Sequence, residues 1–159
     1  MASKSQGVQT IVKDCLVDLP FFAKFDVQEL DFLEKKLEMK RYIKGEFVFR
    51  EGEPGTFMGF VVKGTLEVVK ENAKGQLKRL VEIKKGLTFG EMALADSYAR
   101  SATIMVKEPS ELLILTRDKL DEICARNPEV GIKILQGVAR LLSLNLRRTS
   151  GILSDYLER

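Results

Sequence analysis

Hydrophobic residues along this chain change period twice, from helical to alternating and back to helical. The first helical stretch places Val12, Cys15, Leu16 and Leu19 on one face and stops at Pro20, which cannot continue a helix. Phe21, Phe22 and Phe25 follow as an apolar elbow expected to be buried. Asp26 then reads as an N-cap with Glu29 three residues on, and Leu30, Leu33 and Leu37 form the stripe of a second helix. These N-terminal helices are expected over residues 10–40.

From Lys44 the pattern becomes short β-type runs: Glu46–Arg50, Phe57–Val62, Thr65–Lys70, Leu77–Ile83, Arg100–Val106 and Leu112–Thr116. Gly52, Pro54-Gly55, Lys63-Gly64, Asn72 to Gly75 and Lys85-Gly86 stand between them, where a hairpin or corner must reverse the chain. Many short strands with regular turns favour a sandwich or barrel over an open parallel sheet.

After Arg117 the helical period returns, and helices are expected over residues 117–157. Leu120, Ile123 and Cys124 form one face before Asn127-Pro128, and a longer helix starts with Pro128 in its first turn. Its apolar positions, from Val130 and Ile134 to Leu144 and Leu146, cover more surface than docking on one sheet requires. A three-four seam runs through Leu135, Val138, Leu142, Asn145, Thr149, Ile152 and Tyr156, with Asn145 as a polar register-setter. Two readings stand: a seam for a second copy, or an ordinary amphipathic helix packed on its own domain.

Composition narrows the function. The 159 residues, 45% hydrophobic, suit one domain spanning 1–159, burying about 70% of its unfolded surface. Charge is nearly balanced, 26 basic against 23 acidic residues, so the net +3 does not argue for nucleic acid. The two cysteines, Cys15 and Cys124, lie in apolar or helical patterns and read as reduced thiols, which fits a cytoplasmic setting. There is no histidine, which removes the usual zinc and non-haem iron sites, histidine triads and histidine acid–base chemistry. Residues Met1 to Gln9 are polar and unlike a signal peptide, and no apolar run approaches a membrane span. No catalytic group, metal or cofactor is expected.

One stretch carries chemistry: Phe89 to Ile104, reading F-G-E-M-A-L-A-D-S-Y-A-R-S-A-T-I. Gly90 permits close backbone approach to a ligand. Good helix formers from Glu91 to Ala95 start a short helix whose N–H groups can face an anion. Arg100 offers a fork of donors matched to two phosphate oxygens. Glu91 has the wrong sign for phosphate and suits a neutral sugar hydroxyl. Ser101, Ala102 and Thr103 add small side chains and further backbone donors. Together they fit a nucleotide cyclised through its 3′ and 5′ oxygens, with one diester charge and a free 2′-hydroxyl. The plain alternatives are an Arg100 ion pair to Asp96 and a Glu91 that only complements a helix terminus.

At these residues the chain resembles the cyclic-nucleotide-binding domain family, whose phosphate-binding cassette reads roughly F-G-E-[LM]-A-L, a short spacer, then R-[AST]-A-T. The spacer here, Ala95 to Ala99, lacks the Gly and Pro often seen in it. The resemblance covers Leu16 to about Arg148 and includes L-x-x-x-P-F-F before D-x-x-E-L. It implies an α+β fold, mainly β: an antiparallel, jelly-roll-like β-roll (double-stranded β-helix) over 44–116, flanked by N-terminal helices and a long C-terminal helix. It implies ligand contacts from Phe89, Gly90, Glu91, Met92, Ala93, Arg100, Ser101, Ala102 and Thr103 within a cassette at 89–104.

Val68, Leu80 and Ile83 are candidates for an apolar wall against sugar and base, or plain core. By the resemblance, Ser101 falls where a hydroxyl helps some relatives bind cyclic GMP, although catabolite activators carry serine there and prefer cyclic AMP. Asn145 falls where those activators contact the base; an amide serves either purine, and cyclic AMP is slightly favoured over cyclic GMP. The expected function is a sensor whose terminal helix is lid and output, working through a homodimer or an effector protein. With the sequence ending at Arg159, no DNA-binding module is expected after the long helix, the other reading being a fragment of a larger regulator; Arg140, Arg147, Arg148 and Arg159 read as solvated charges. Two rivals remain. A degenerate relative would keep the roll as a ligand-free interaction scaffold, and a cupin-like enzyme would need the histidines this chain lacks.

Overall fold

The computed structural model of the protein describes residues 11–158. Helix α1 occupies 11–18 with Val12 and Leu16 buried, and Pro20–Phe22 form a 3-10 turn. Helix α2 (Val27–Leu33) begins with the expected capping box: Glu29 N–H donates to Asp26 Oδ1 at 2.8 Å, and Asp26 N–H to Glu29 Oε2 at 2.9 Å. The helical region ends earlier than the expected residue 40, because Leu37 belongs to a second pattern. It alternates with Met39 and leads into β1 (Glu38–Tyr42), which pairs antiparallel with a later strand.

The roll consists of β1, β2 (Phe47–Phe49), β3 (Phe57–Glu71), β4 (Leu77–Lys84), β5 (Thr88–Phe89) and β6 (Thr103–Thr116). Every pairing is antiparallel; the order is β1-β6-β3-β4, with β2 also on β6 and β5 on β3. Two pairs of expected strands are thus single long strands. At Lys63-Gly64 the chain bends without reversing. Gly64 has φ +90°, and a Cβ there would lie 2.3 Å from Ser110 Oγ, so only glycine absorbs the register shift between β3 and β6. Pro109 sits within β6 beside the same irregularity, the kind of place where a strand tolerates the missing N–H.

Alternation on the long strands feeds two cores. Met58 and Phe60 of β3, with Leu113 and Leu115 of β6, face the helices and meet Leu16, Phe22 and Leu33. Val61 and Leu66, with Leu112 and Ile114, face the interior of the roll around Phe89. Beyond the roll lie the one-turn helix α3 (Met92–Ala95), α4 (Arg117–Arg126) and α5 (Pro128–Leu157). Asn127 caps α5 by accepting from Val130 N–H, with Pro128 in the first turn as expected.

Ile134 and Val138 of α5 are buried in the helix-side core, and Gly137 presses so closely on Phe21 that a Cβ would sit 2.6 Å from the ring. The expected seam therefore breaks at Val138, which is committed to its own domain. The stripe that stays open on α5 is Ile132, Leu135, Ala139, Leu142, Leu146, Thr149, Leu153 and Tyr156, again at three-four spacing; only Leu142 among them is half-covered. No helix among the described residues is long and apolar enough to cross a membrane.

Candidate functional site

The cassette folds into a wall of one cavity of about 490 Å³, with β4 and the middle of α5 as other walls. Gly90 enables the turn into it. Its φ is +71°, and a Cβ there would lie 2.8 Å from Arg100 Nη1 and 3.1 Å from Phe57 O. The glycine thus makes room for the arginine as much as for a ligand. The spacer needs neither Gly nor Pro, because Asp96 Oδ1 accepts from Tyr98 N–H at 3.1 Å and closes an Asx-type turn. Arg100 is then fastened to the loop before β3: its N–H donates to Glu53 O at 2.8 Å, and its carbonyl accepts from Gly52 N–H at 2.9 Å.

Arg100 is only 7% exposed. Its guanidinium lies 3.8 Å from the Phe49 ring centroid and 4.6 Å from that of Phe57, a cation–π pair on two rings. Nη2 donates to Phe57 O at 2.7 Å and Nη1 to Gly90 O at 3.4 Å, while Nε is buried without a partner. Burial lowers the pKa of the guanidinium to about 10, opposed by the Glu53 and Glu91 carboxylates, so it remains cationic at neutral pH. Among the described residues Arg100 forms no ion pair with Asp96.

Glu91 lines the same cavity and accepts a hydrogen bond from Asn145 Nδ2 of α5 at 2.6 Å. The two residues picked out for opposite tasks therefore share one hollow. Helix α3 contributes less than its sequence suggested. It is a single turn, and the N–H groups of Ala93 and Leu94 donate to Gly90 O and Glu91 O, so they do not face a ligand.

Of the other expected contacts, Phe89, Met92, Ala93, Ser101, Ala102, Val68, Ile83 and Asn145 line the cavity. Thr103 does not: its buried Oγ1 accepts from Glu51 N–H at 2.9 Å, a role in holding the neighbouring loop. Leu80 is 60% exposed and outside the lining, and Val81 takes its place. The reason is a bulge. Val68 pairs with Val81 but Val69 pairs with Arg79, so Leu80 is the extra residue and the alternation of β4 slips by one.

Sequence reasoning also passed over Phe49, Leu87, Leu141, Leu144 and Arg148 as lining residues. Those on α5 follow from Asn145, since 141, 144, 145 and 148 share a helix face. Phe49 gave no local signal, because its role depends on where Arg100 comes to lie. Arg148 faces the cavity, Arg140 and Arg147 are exposed, and Arg159 lies outside the described residues.

The chain is similar to the Cyclic AMP receptor protein of Thermus thermophilus, 29% identical over 77% of this chain and 57% of that protein. It is similar to a cyclic nucleotide-gated potassium channel of Mesorhizobium japonicum, 33% identical over 70% of this chain and 30% of that one. It thus spans little more than half of one curated relative and under a third of the other. The crystal structure of a cyclic nucleotide-binding domain from Methylobacillus flagellatus matches with a TM-score of 0.79, covering 92% of this chain and 83% of that one at 23% identity, a likeness of fold. The family model described as the cyclic nucleotide-binding domain matches residues 39–127, which hold nearly all of the roll, the whole cassette and α4, and the chain belongs to that family.

Proposed function

We propose that this protein is a non-catalytic sensor of a 3′,5′-cyclic purine nucleotide, with α5 as lid and output. The observation that carries the reading is that Glu91 and Arg100 line one cavity closed on a third side by α5. The arginine has five N–H donors and spends two hydrogen bonds on carbonyls, leaving donors for a diester oxygen. The carboxylate takes the 2′-hydroxyl and repels the more highly charged phosphate of a linear mononucleotide. Val68, Ile83, Leu87 and Leu144 offer apolar surface to sugar and base.

Asn145 bridges the ligand site and the lid. A nucleotide hydroxyl competes with its amide for Glu91, so occupancy and the position of α5 are linked. Similarity to a protein named for cyclic AMP reception supports cyclic AMP over cyclic GMP.

The open stripe on α5 supports pairing with a second copy, since of its positions only Leu142 packs against the core of its own domain. An effector protein seated on that stripe is the other output open to the sensor. Cys15 and Cys124, free and half-buried, support a reducing, cytoplasmic setting.

Calorimetric titration with cyclic AMP, cyclic GMP and linear AMP tests the reading on wild type, Arg100→Ala and Glu91→Ala. Heat from cyclic species alone, reduced in both variants, supports the sensor. Silence from all three nucleotides supports a ligand-free interaction scaffold, and any turnover revives the enzyme.

A further inference from the structure

Arg117, at the junction of β6 and α4, turns its side chain toward the cassette. Its Nη2 shares two N–H groups among the carbonyls of Ala93, Asp96 and, at 3.3 Å, Gly55; its Nη1 donates to Ser97 Oγ at 3.1 Å. Its own backbone N–H is fixed to Thr56 O at 2.9 Å. One guanidinium therefore binds three backbone carbonyls and a hydroxyl drawn from two separate loops. Its Nε is buried without a partner, an unmade bond tolerated while the fork reaches those acceptors.

Ala93, Asp96 and Ser97 share a place between Glu91 and Arg100, and Gly55 comes from the loop before β3. A helix of one turn has no stability of its own, so α3 sits where its neighbours put it. At its start, Asn145 engages Glu91. At its end, Arg117 gathers the carbonyls of Ala93 and Asp96, while Gly55 comes so near that a Cβ there would be 3.0 Å from Ala93 Cβ. Arg117 does not line the cavity, so it acts without touching what binds there.

We infer that Arg117 is a positioning residue for nucleotide binding: by holding the end of α3 and the spacer, it fixes the separation of Glu91 and Arg100. The inference rests on reading the cavity as a cyclic nucleotide site. It also connects that site to α4, since Arg117 is the first residue of the helix that precedes α5.

The test combines hydrogen–deuterium exchange over residues 92–98, without nucleotide, with calorimetric affinity for cyclic AMP in wild type, Arg117→Gln and Arg117→Lys. In Arg117→Gln, exchange over 92–98 rises by about tenfold or more and affinity falls by about tenfold, the loss expected when hydrogen bonds to a charged group are removed. Arg117→Lys, which keeps the charge but not the fork, falls between, and carries the test if the glutamine variant does not fold. Ethylguanidinium added to Arg117→Ala restores affinity, which a general loss of stability would not allow. Affinity within about twofold of wild type in the variants, or unchanged exchange over 92–98, overturns the inference. A wild type that binds no cyclic nucleotide overturns the binding role together with the proposed function, while the exchange data decide separately whether Arg117 holds the cassette.

Discussion

Asn145 and Glu91 stand 54 residues apart in sequence and 2.6 Å apart in space, an amide donating to a carboxylate across the mouth of the cavity. The bond makes α5 part of the site before any ligand arrives. It also occupies the group that is to read the sugar.

If the amide and a ribose hydroxyl compete for one carboxylate, removing the amide favours the hydroxyl. Asn145→Ala is expected to tighten binding of cyclic AMP by up to about tenfold, the range of one modest hydrogen bond. Binding of 2′-deoxy cyclic AMP stays unchanged. Parallel calorimetric titrations of the two nucleotides check this, and an equal effect on both contradicts the competition.

The reciprocal change concerns the carboxylate itself. Glu91→Gln removes the charge that a hydroxyl donates to, and hydrogen bonds to charged groups are worth about 1.5–3 kcal/mol. Affinity for cyclic AMP is expected to fall by about one to two orders of magnitude, to near that for the 2′-deoxy analogue. Retained preference for the ribose form assigns its recognition elsewhere.

Gly90→Ala probes the turn that accommodates Arg100. The left-handed backbone there costs an L-residue about 1–2 kcal/mol, and the added methyl meets Arg100 Nη1. Lower urea resistance together with about tenfold weaker nucleotide binding is the expected result. A stability loss with full affinity shows that the arginine tolerates displacement.

Glu122 links the helices electrostatically. Hydrogen bonds from Lys36 and Lys119 hold its carboxyl at about 2, below the usual 4.5. A carboxylate depressed on folding adds stability that is complete above its ordinary pKa and lost as pH falls from 4.5 toward about 2. Thermal denaturation across that window should show a fall in Tm that is smaller in Lys36→Met. Identical pH profiles for the two proteins exclude the pair as its source.

The stripe on α5 yields a test of self-association. Leu146 and Leu153 are 68% and 55% exposed, so glutamate at both should leave the isolated domain folded. Sedimentation equilibrium is expected to find a dimer in wild type and a monomer in Leu146→Glu/Leu153→Glu. A monomer in both leaves the stripe to another partner.

Local patterns in the sequence were legible wherever one segment determined its own conformation. The capping box at Asp26 and Glu29, the Pro128 start of α5 and the cassette with its Glu91 and Arg100 all needed only neighbours in the chain. What stayed hidden depended on a distant partner. Gly64 reads as a turn until Ser110 is seen beside it, because a bulge and a reversal use the same residue type. Leu80 and Val81 exchange sides through an irregularity that alternation alone does not reveal. Val138 fits either of two three-four stripes, and only the core beneath α5 decides between them. Arg117 and Phe49 gave no local sign, since their acceptors and stacking partner come from other segments.

The Gly137 contact with Phe21 has a mechanical corollary. It acts as a fulcrum placed early in a long rod: the twenty or so residues beyond it extend about 30 Å. A rocking of roughly 10° there sweeps the far tip through about 5 Å. A small adjustment beside the hollow becomes a displacement that a neighbouring molecule can sense.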